Sequence, residues 1–164
     1  MKTRRAALMM MAALALAPAA HAGGKKEVKV AVSFHMETEA TDNPKMIFPF
    51  LANGKQRFFR RMPEISMKDV MSFNPFPSEF GGADYGIVFK LKPSAANRFN
   101  AITSANSGKW MISQINGRVV DGFLIDKPVT DGQIVIWKGV TLDDVSLLDE
   151  TLPRVGQEGQ KKKK

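Results

Sequence analysis

Two Asn-Gly pairs, Asn53-Gly54 and Asn116-Gly117, each sit between apolar runs. A type I′ turn needs positive φ at both central residues, and Asn-Gly meets that demand with least strain. Met46-Ile47-Phe48 and Phe58-Phe59 flank the first pair; residues 109–115 and 118–125 flank the second. The chain is therefore expected to form antiparallel hairpins over residues 46–61 and 109–125. Pro49 confines its strand to an edge or a bulge, because proline has no N–H for a ladder. Val28, Val30, Val32 and Phe34 alternate with Lys29, Ala31 and Ser33, the period of a half-buried strand. Tyr85, Ile87, Phe89 and Leu91 alternate in the same way. Ile134-Val135-Ile136-Trp137 is apolar on both parities, which predicts a strand covered on two sides.

Helix signals fall between these strands. Ser66 with Asp69 three residues on is a capping pattern, and a short helix is expected there. It should end before Asn74-Pro75-Phe76-Pro77, whose prolines bar continuation. Ser94 is expected to cap a helix reaching Ala105, with Ala95, Phe99 and Ile102 on one side and Gly108 after its end. Thr141 with Asp144 repeats the capping pattern and opens a last helix, with a stripe of Leu142, Val145, Leu148 and Leu152. The fold class is α+β: a mostly antiparallel sheet with two or three helices packed on it.

The chain ends are set apart by composition. Residues 1–22 have a basic start (Lys2, Arg4, Arg5), an apolar stretch over residues 6–17 and a small-x-small site at Ala20-His21-Ala22. This is the pattern of a secretory signal peptide cut after Ala22, so the protein is expected to be periplasmic or secreted. No later stretch is long and apolar enough to span a membrane. Residues 156–164 have no apolar periodicity and end in Lys161, Lys162, Lys163 and Lys164, so they read as a disordered basic tail. The net charge of +8 comes almost wholly from the leader and the four terminal lysines, and the body between them, residues 23–160, holds 17 basic residues against 16 acidic ones. A nucleic-acid-binding domain, which carries its excess charge on the folded body, is excluded on that ground. There is no cysteine, which excludes disulfides, thiolate metal sites and cysteine nucleophiles.

From Pro63 to Pro153 the chain resembles the head part of the first periplasmic domain of SecD, the export-motor subunit of the Sec translocase. The resemblance rests on four stretches. Residues 64–70, Glu-Ile-Ser-Met-Lys-Asp-Val, are similar to the capped segment entering the head. Residues 98–109, with Phe99, Thr103, Asn106, Gly108 and Lys109, are similar to its helix motif. Asn116-Gly117 stands where the family has an aspartate-glycine hairpin, and residues 129–144 resemble its glycine-punctuated strand and capped helix. The order and spacing of these motifs is more specific than any one of them. Asn116 departs from the usual aspartate, and Asp121-Gly122-Phe123 stands where small residues and proline are typical. The chain carries none of the six membrane helices of a translocation motor, so proton-coupled export is not carried over. The resemblance implies a non-catalytic α+β module outside the cytoplasm that contacts polypeptide. Four parts are expected: residues 1–22 as leader, 23–62 as a strand and hairpin segment, 63–155 as the head-like domain and 156–164 as tail.

The residues themselves offer little catalytic chemistry. His35 is the only histidine outside the leader and reads as a strand-end residue. The acidic pairs Asp143-Asp144 and Asp149-Glu150 read as exposed helix charges. No nucleophile elbow, phosphate-cradling loop or zinc-helix motif is present. No cofactor, no metal and no enzyme activity are expected, and a hydrolase is the least favoured reading. Phe73, Phe76 and Phe80 lie in a Pro/Gly-rich stretch and are candidates for an apolar groove that takes peptide. Lys55, Arg57, Arg60 and Arg61 interleave with Phe58-Phe59; with the four terminal lysines they are candidates for weak contact with an anionic surface. The partner expected first is a protein or peptide of the cell envelope; envelope-surface association through tail and hairpin is the alternative.

Overall fold

The structure is a computed structural model describing residues 30–159. The leader pattern and the four terminal lysines lie outside the described residues. The fold is α+β, with nine strands in two antiparallel sheets and two helices among the described residues. The first sheet has the order β2 (Ile47–Ala52), β3 (Lys55–Arg60), β1 (Val32–Thr38), β7 (Trp110–Ile115) and β8 (Arg118–Leu124). The short β4 (Ile65–Ser66) also pairs with β1, beyond the end of β3. The second sheet has the order β5 (Val70–Pro77), β6 (Tyr85–Leu91) and β9 (Gln133–Val140). Helices α1 (Pro93–Ala105) and α2 (Leu142–Thr151) pack on the shared core.

Both Asn-Gly hairpins form as expected. Asn53 and Gly54 have φ of 48° and 70°, and Asn116 and Gly117 have φ of 51° and 79°. Only a turn with positive φ at both positions keeps the twist of the flanking strands. Val32, Phe34 and Met36 of β1 are buried, as are Ile87, Phe89 and Leu91 of β6. The rings of Phe34 and Phe89 meet edge to face at 6.1 Å and join the two sheets. Strand β1 therefore packs into one core with residues from 63–153.

Several local expectations are corrected. The Ser66 cap forms, its N–H and hydroxyl donating to the Asp69 carboxylate at 2.9 and 3.2 Å. It opens only a 3-10 turn of three residues, Met67–Asp69. Strand β5 follows and runs through Pro75 and Pro77. Those prolines are tolerated because β5 lies at the edge of its sheet. Helix α1 starts from Lys92, with Pro93 in its first turn, and Ser94 lies inside it. Proline at that position is preset for a helix and has no N–H to leave unpaired. Residues 156–159 are docked: the Ser72 hydroxyl donates to Glu158 Oε1 at 2.9 Å, and Val155 N–H donates to the Phe73 carbonyl at 3.0 Å. Strand β9 is covered on one side only. Ile134 and Ile136 are buried, but Trp137 is 50% exposed.

The sheet edges are closed by side chains and prolines. Pro49 lies on β2, and Pro75 and Pro77 lie on β5. On β9, Gln133 N–H donates to Asp131, Trp137 N–H donates to Asp121, and the Gly139 carbonyl accepts from Arg118. An edge treated in this way resists addition of a further strand.

Candidate apolar cleft beside strand β9

The open face of β9 continues into a cleft. It lies between β9 and the chain from Phe123 through Asp131, and its volume is about 420 Å³. Its floor includes Phe99 of α1 and Ile134, both buried. Phe123, Val129 and Val135 are half-buried in its walls, and Leu124 and Trp137 are exposed at its mouth. This size and apolar lining fall in the range of ligand-binding clefts.

The walls are held by hydrogen bonds. The Thr103 hydroxyl, fully buried on α1, donates to the Phe99 carbonyl and accepts the Val129 N–H, both at 2.9 Å. Gly108 N–H donates to the Ile125 carbonyl at 2.8 Å, and Ile125 N–H donates to the Lys109 carbonyl at 2.9 Å. Trp137 is braced from behind by Phe76, edge to face at 6.0 Å. The Phe76 ring lies over Gly86, where a Cβ would come within 2.2 Å of it. Gly86 is needed for that close approach.

A second cleft of about 430 Å³ lies under the tip of the first hairpin. Phe50 and Leu51 face Trp110, Ile112 and Val119 across it, with Asp121 and Lys138 at its border. A small separate cluster of Ala52, Phe59 and Ile112 seats the hairpin on the outer side of the first sheet.

The residues expected from sequence are scattered. Phe76 borders the aromatic face, and Phe80, 66% exposed, has Lys138 Nζ 4.9 Å from its ring centre. Phe73 is a correction: it is fully buried, with the Arg154 guanidinium 4.6 Å from its ring centre, and cannot line a surface groove. The hairpin cations do not form a free patch. Arg57 pairs with Glu37 at 2.6 Å and lies over Trp110, Arg60 pairs with Glu64 at 3.2 Å, and Arg61 lies over Phe48. Lys55 is exposed on the hairpin. Lys161, Lys162, Lys163 and Lys164 lie outside the described residues. Sequence reasoning missed Leu124, Val135 and Trp137 as surface residues. The signal was present in Ile134-Val135-Ile136-Trp137, since a strand apolar on both parities has a second apolar face to place somewhere.

Two titratable expectations also change. His35 lies within β1 and is buried. Its Nδ1 is 2.8 Å from the Arg60 carbonyl, which can only accept, so Nδ1 carries the proton. Nε2 then accepts from the Ser33 hydroxyl at 2.9 Å. Burial lowers its pKa, against the smaller opposing effect of the Arg60 carbonyl. Asp144 and Asp149 are not free helix charges. Asp144 is buried, caps α2 through the Thr141 N–H and hydroxyl, and accepts from Arg118 at 2.6 Å. Asp149 binds Arg154 through both oxygens at 2.6 Å. No group of three His, Asp or Glu side chains suited to a metal occurs among the described residues, and no helix there is long and apolar enough to cross a membrane.

Comparison with known proteins gives a structural likeness alone. No family model matches, and no curated protein sequence matches. A solved structure of SecDF, described as a membrane component that enhances protein export, aligns with a TM-score of 0.52 at 16% identity. The alignment covers 76% of this chain and 64% of that one. SecDF in its super-membrane-facing form aligns with a TM-score of 0.53 at 17% identity, over 76% of this chain and 19% of that one. The chain thus spans less than two thirds of the length of either. The shared part is larger than residues 63–153, which make up little more than half of the chain, so the likeness extends beyond that stretch. The two-sheet arrangement with its pair of helices is therefore a SecD-like periplasmic-domain fold.

Proposed function

We propose that the protein is an exported, non-catalytic module of the cell envelope that contacts extended polypeptide or an envelope protein partner. The observation that carries this reading is the open apolar face of β9 with the cleft beside it. Exposed apolar surface of this kind marks interaction sites. The SecDF fold supports the export connection, because the aligned protein enhances protein export. The basic start and apolar stretch of residues 1–22 support passage out of the cytoplasm, with cleavage after Ala22.

The test is photo-crosslinking in the native envelope from a probe placed at Leu124, with mass spectrometry of the adducts and of the mature N-terminus. Translocase subunits or chains in the course of export, joined to a protein beginning at Gly23, are the expected products. Adducts to one envelope complex unconnected with export, or no adducts, would overturn the export reading.

A further inference from the structure

We propose that the cleft beside β9 takes a polypeptide segment in which an aromatic or branched apolar side chain lies close to a lysine or arginine. The inference rests on the polypeptide-contact reading above and adds the place and the chemistry of the occupant.

The cleft provides for both parts of such a segment. Its floor and walls are largely apolar, lined by Phe123, Val135 and Trp137 over the buried Ile134. Its mouth carries Asp126 and Asp131, both exposed, against the single cation Lys127. Neither carboxylate is in an ion pair among the described residues. Asp131 spends one oxygen on the Gln133 N–H, and its other oxygen has no hydrogen-bond partner among the described residues. The local balance is therefore negative, in a protein whose formal charge is +8. A cation on the incoming segment meets complementary charge there, and an acidic segment is repelled.

The edge chemistry decides how the segment is read. Side chains already hold Gln133 N–H, Trp137 N–H and the Gly139 carbonyl on β9. Adding a peptide as a further strand would break those contacts, so recognition falls to side chains entering the cleft. Trp137 is suited to receive them. It is half exposed, and Phe76 fixes its ring from behind. A large aromatic surface that is already ordered loses little entropy on binding. The opposite wall is also set in advance, by the Thr103 bond to Val129 and the paired bonds of Ile125.

The test uses the full chain carrying Trp110→Phe, so that Trp137 alone reports by fluorescence. Three eight-residue peptides are titrated: one with two phenylalanines and a lysine, its twin with glutamate for the lysine, and a third with serine for both phenylalanines. The lysine peptide should shift the Trp137 signal, the glutamate twin should bind about fivefold more weakly, and the serine peptide should not bind. In Asp126→Asn/Asp131→Asn, which keeps an oxygen for the Gln133 N–H, the difference between the first two should vanish. Leu124→Glu, at an exposed position, should abolish binding while the thermal unfolding curve stays cooperative. A permanently unfolded polypeptide crosslinked to each variant separates the two levels of the argument. If it crosslinks equally to wild type, Leu124→Glu and the double variant, polypeptide binds elsewhere and this cleft assignment is overturned while the functional reading stands. If it crosslinks to none of them, both are overturned.

Discussion

Thr103→Val removes one oxygen from the interior and should loosen the wall of the β9 cleft. The Thr103 hydroxyl is the acceptor for the Val129 N–H, across 26 residues of sequence. Valine keeps the shape of the side chain, so no cavity opens. The loss is a stranded N–H, which costs about 1–3 kcal/mol when fully buried. Val129 is only half-buried, so water can partly replace the hydroxyl and the lower end applies. The Phe99 carbonyl also loses a donor, but the helical backbone still serves it. A net loss of about 1 kcal/mol is expected, a fall in Tm of roughly 3–4 °C for a domain of this size. The assay is urea unfolding together with amide hydrogen exchange. Exchange should accelerate at Val129 while the core strand β6 keeps its protection relative to the new global stability. Thr103→Ser retains the oxygen and should keep Val129 protected, despite the lost methyl. If Thr103→Val shifts stability by under about 0.3 kcal/mol and leaves Val129 protection unchanged, the hydroxyl does not hold this wall.

Three further substitutions probe other parts of the fold. Gly139→Ala should destabilise by more than about 2 kcal/mol in urea unfolding, since its φ is +81° and a Cβ would lie 2.5 Å from the Val120 carbonyl oxygen; an unchanged midpoint would contradict that close approach. Asp144→Ala should cost about 1–2 kcal/mol, mostly through the lost cap of α2, because Arg118 is too exposed for its ion pair to add much; Arg118→Ala should therefore cost clearly less. His35 has a folded pKa below its reference of 6.5, so its neutral form stabilises the fold fully above that value and the contribution is lost as pH falls through and below it. The slope of stability against pH in that window should flatten in His35→Gln, and an unchanged slope would show that another group titrates there.

What could be read before the structure follows the range of the interactions involved. Asn53-Gly54 and Asn116-Gly117 were legible because a two-residue turn is decided by its own φ angles. The alternation of Tyr85, Ile87, Phe89 and Leu91 was legible because one face of β6 meets the core along its whole length. Ser66 and Asp69 misled because a cap stabilises a start without deciding how far the helix runs. Val70, Ser72 and Phe73 are buried in a strand instead, and that burial outweighs further helical turns. Trp137 misled for a different reason. A doubly apolar strand has the same pattern whether its second face meets protein or water, and only the placement of residues 123–131 beside β9 decides between them. Phe73 and Phe76, three residues apart in one strand, went to opposite fates because one faces Phe99's core and the other crosses Gly86. No local pattern records which side of β5 is inward.

The two Asn-Gly turns also set how the protein ages chemically. In such a pair the backbone nitrogen of the glycine attacks the asparagine side-chain carbonyl and expels the side-chain nitrogen as ammonia, and water then opens the resulting succinimide to aspartate or isoaspartate. At Asn116 that carbonyl oxygen accepts the Ala31 N–H at 2.9 Å, which restrains the rotation of the side-chain amide that the attack requires. Asn53 is exposed at the hairpin tip beside Leu51, and no such bond restrains it among the described residues. Stored protein should therefore gain its first acidic variant at Asn53, seen by peptide mapping, with a new negative charge and an altered backbone at the border of the hairpin cleft. The turn that makes the hairpin easy to form is also the place where its covalent structure first changes.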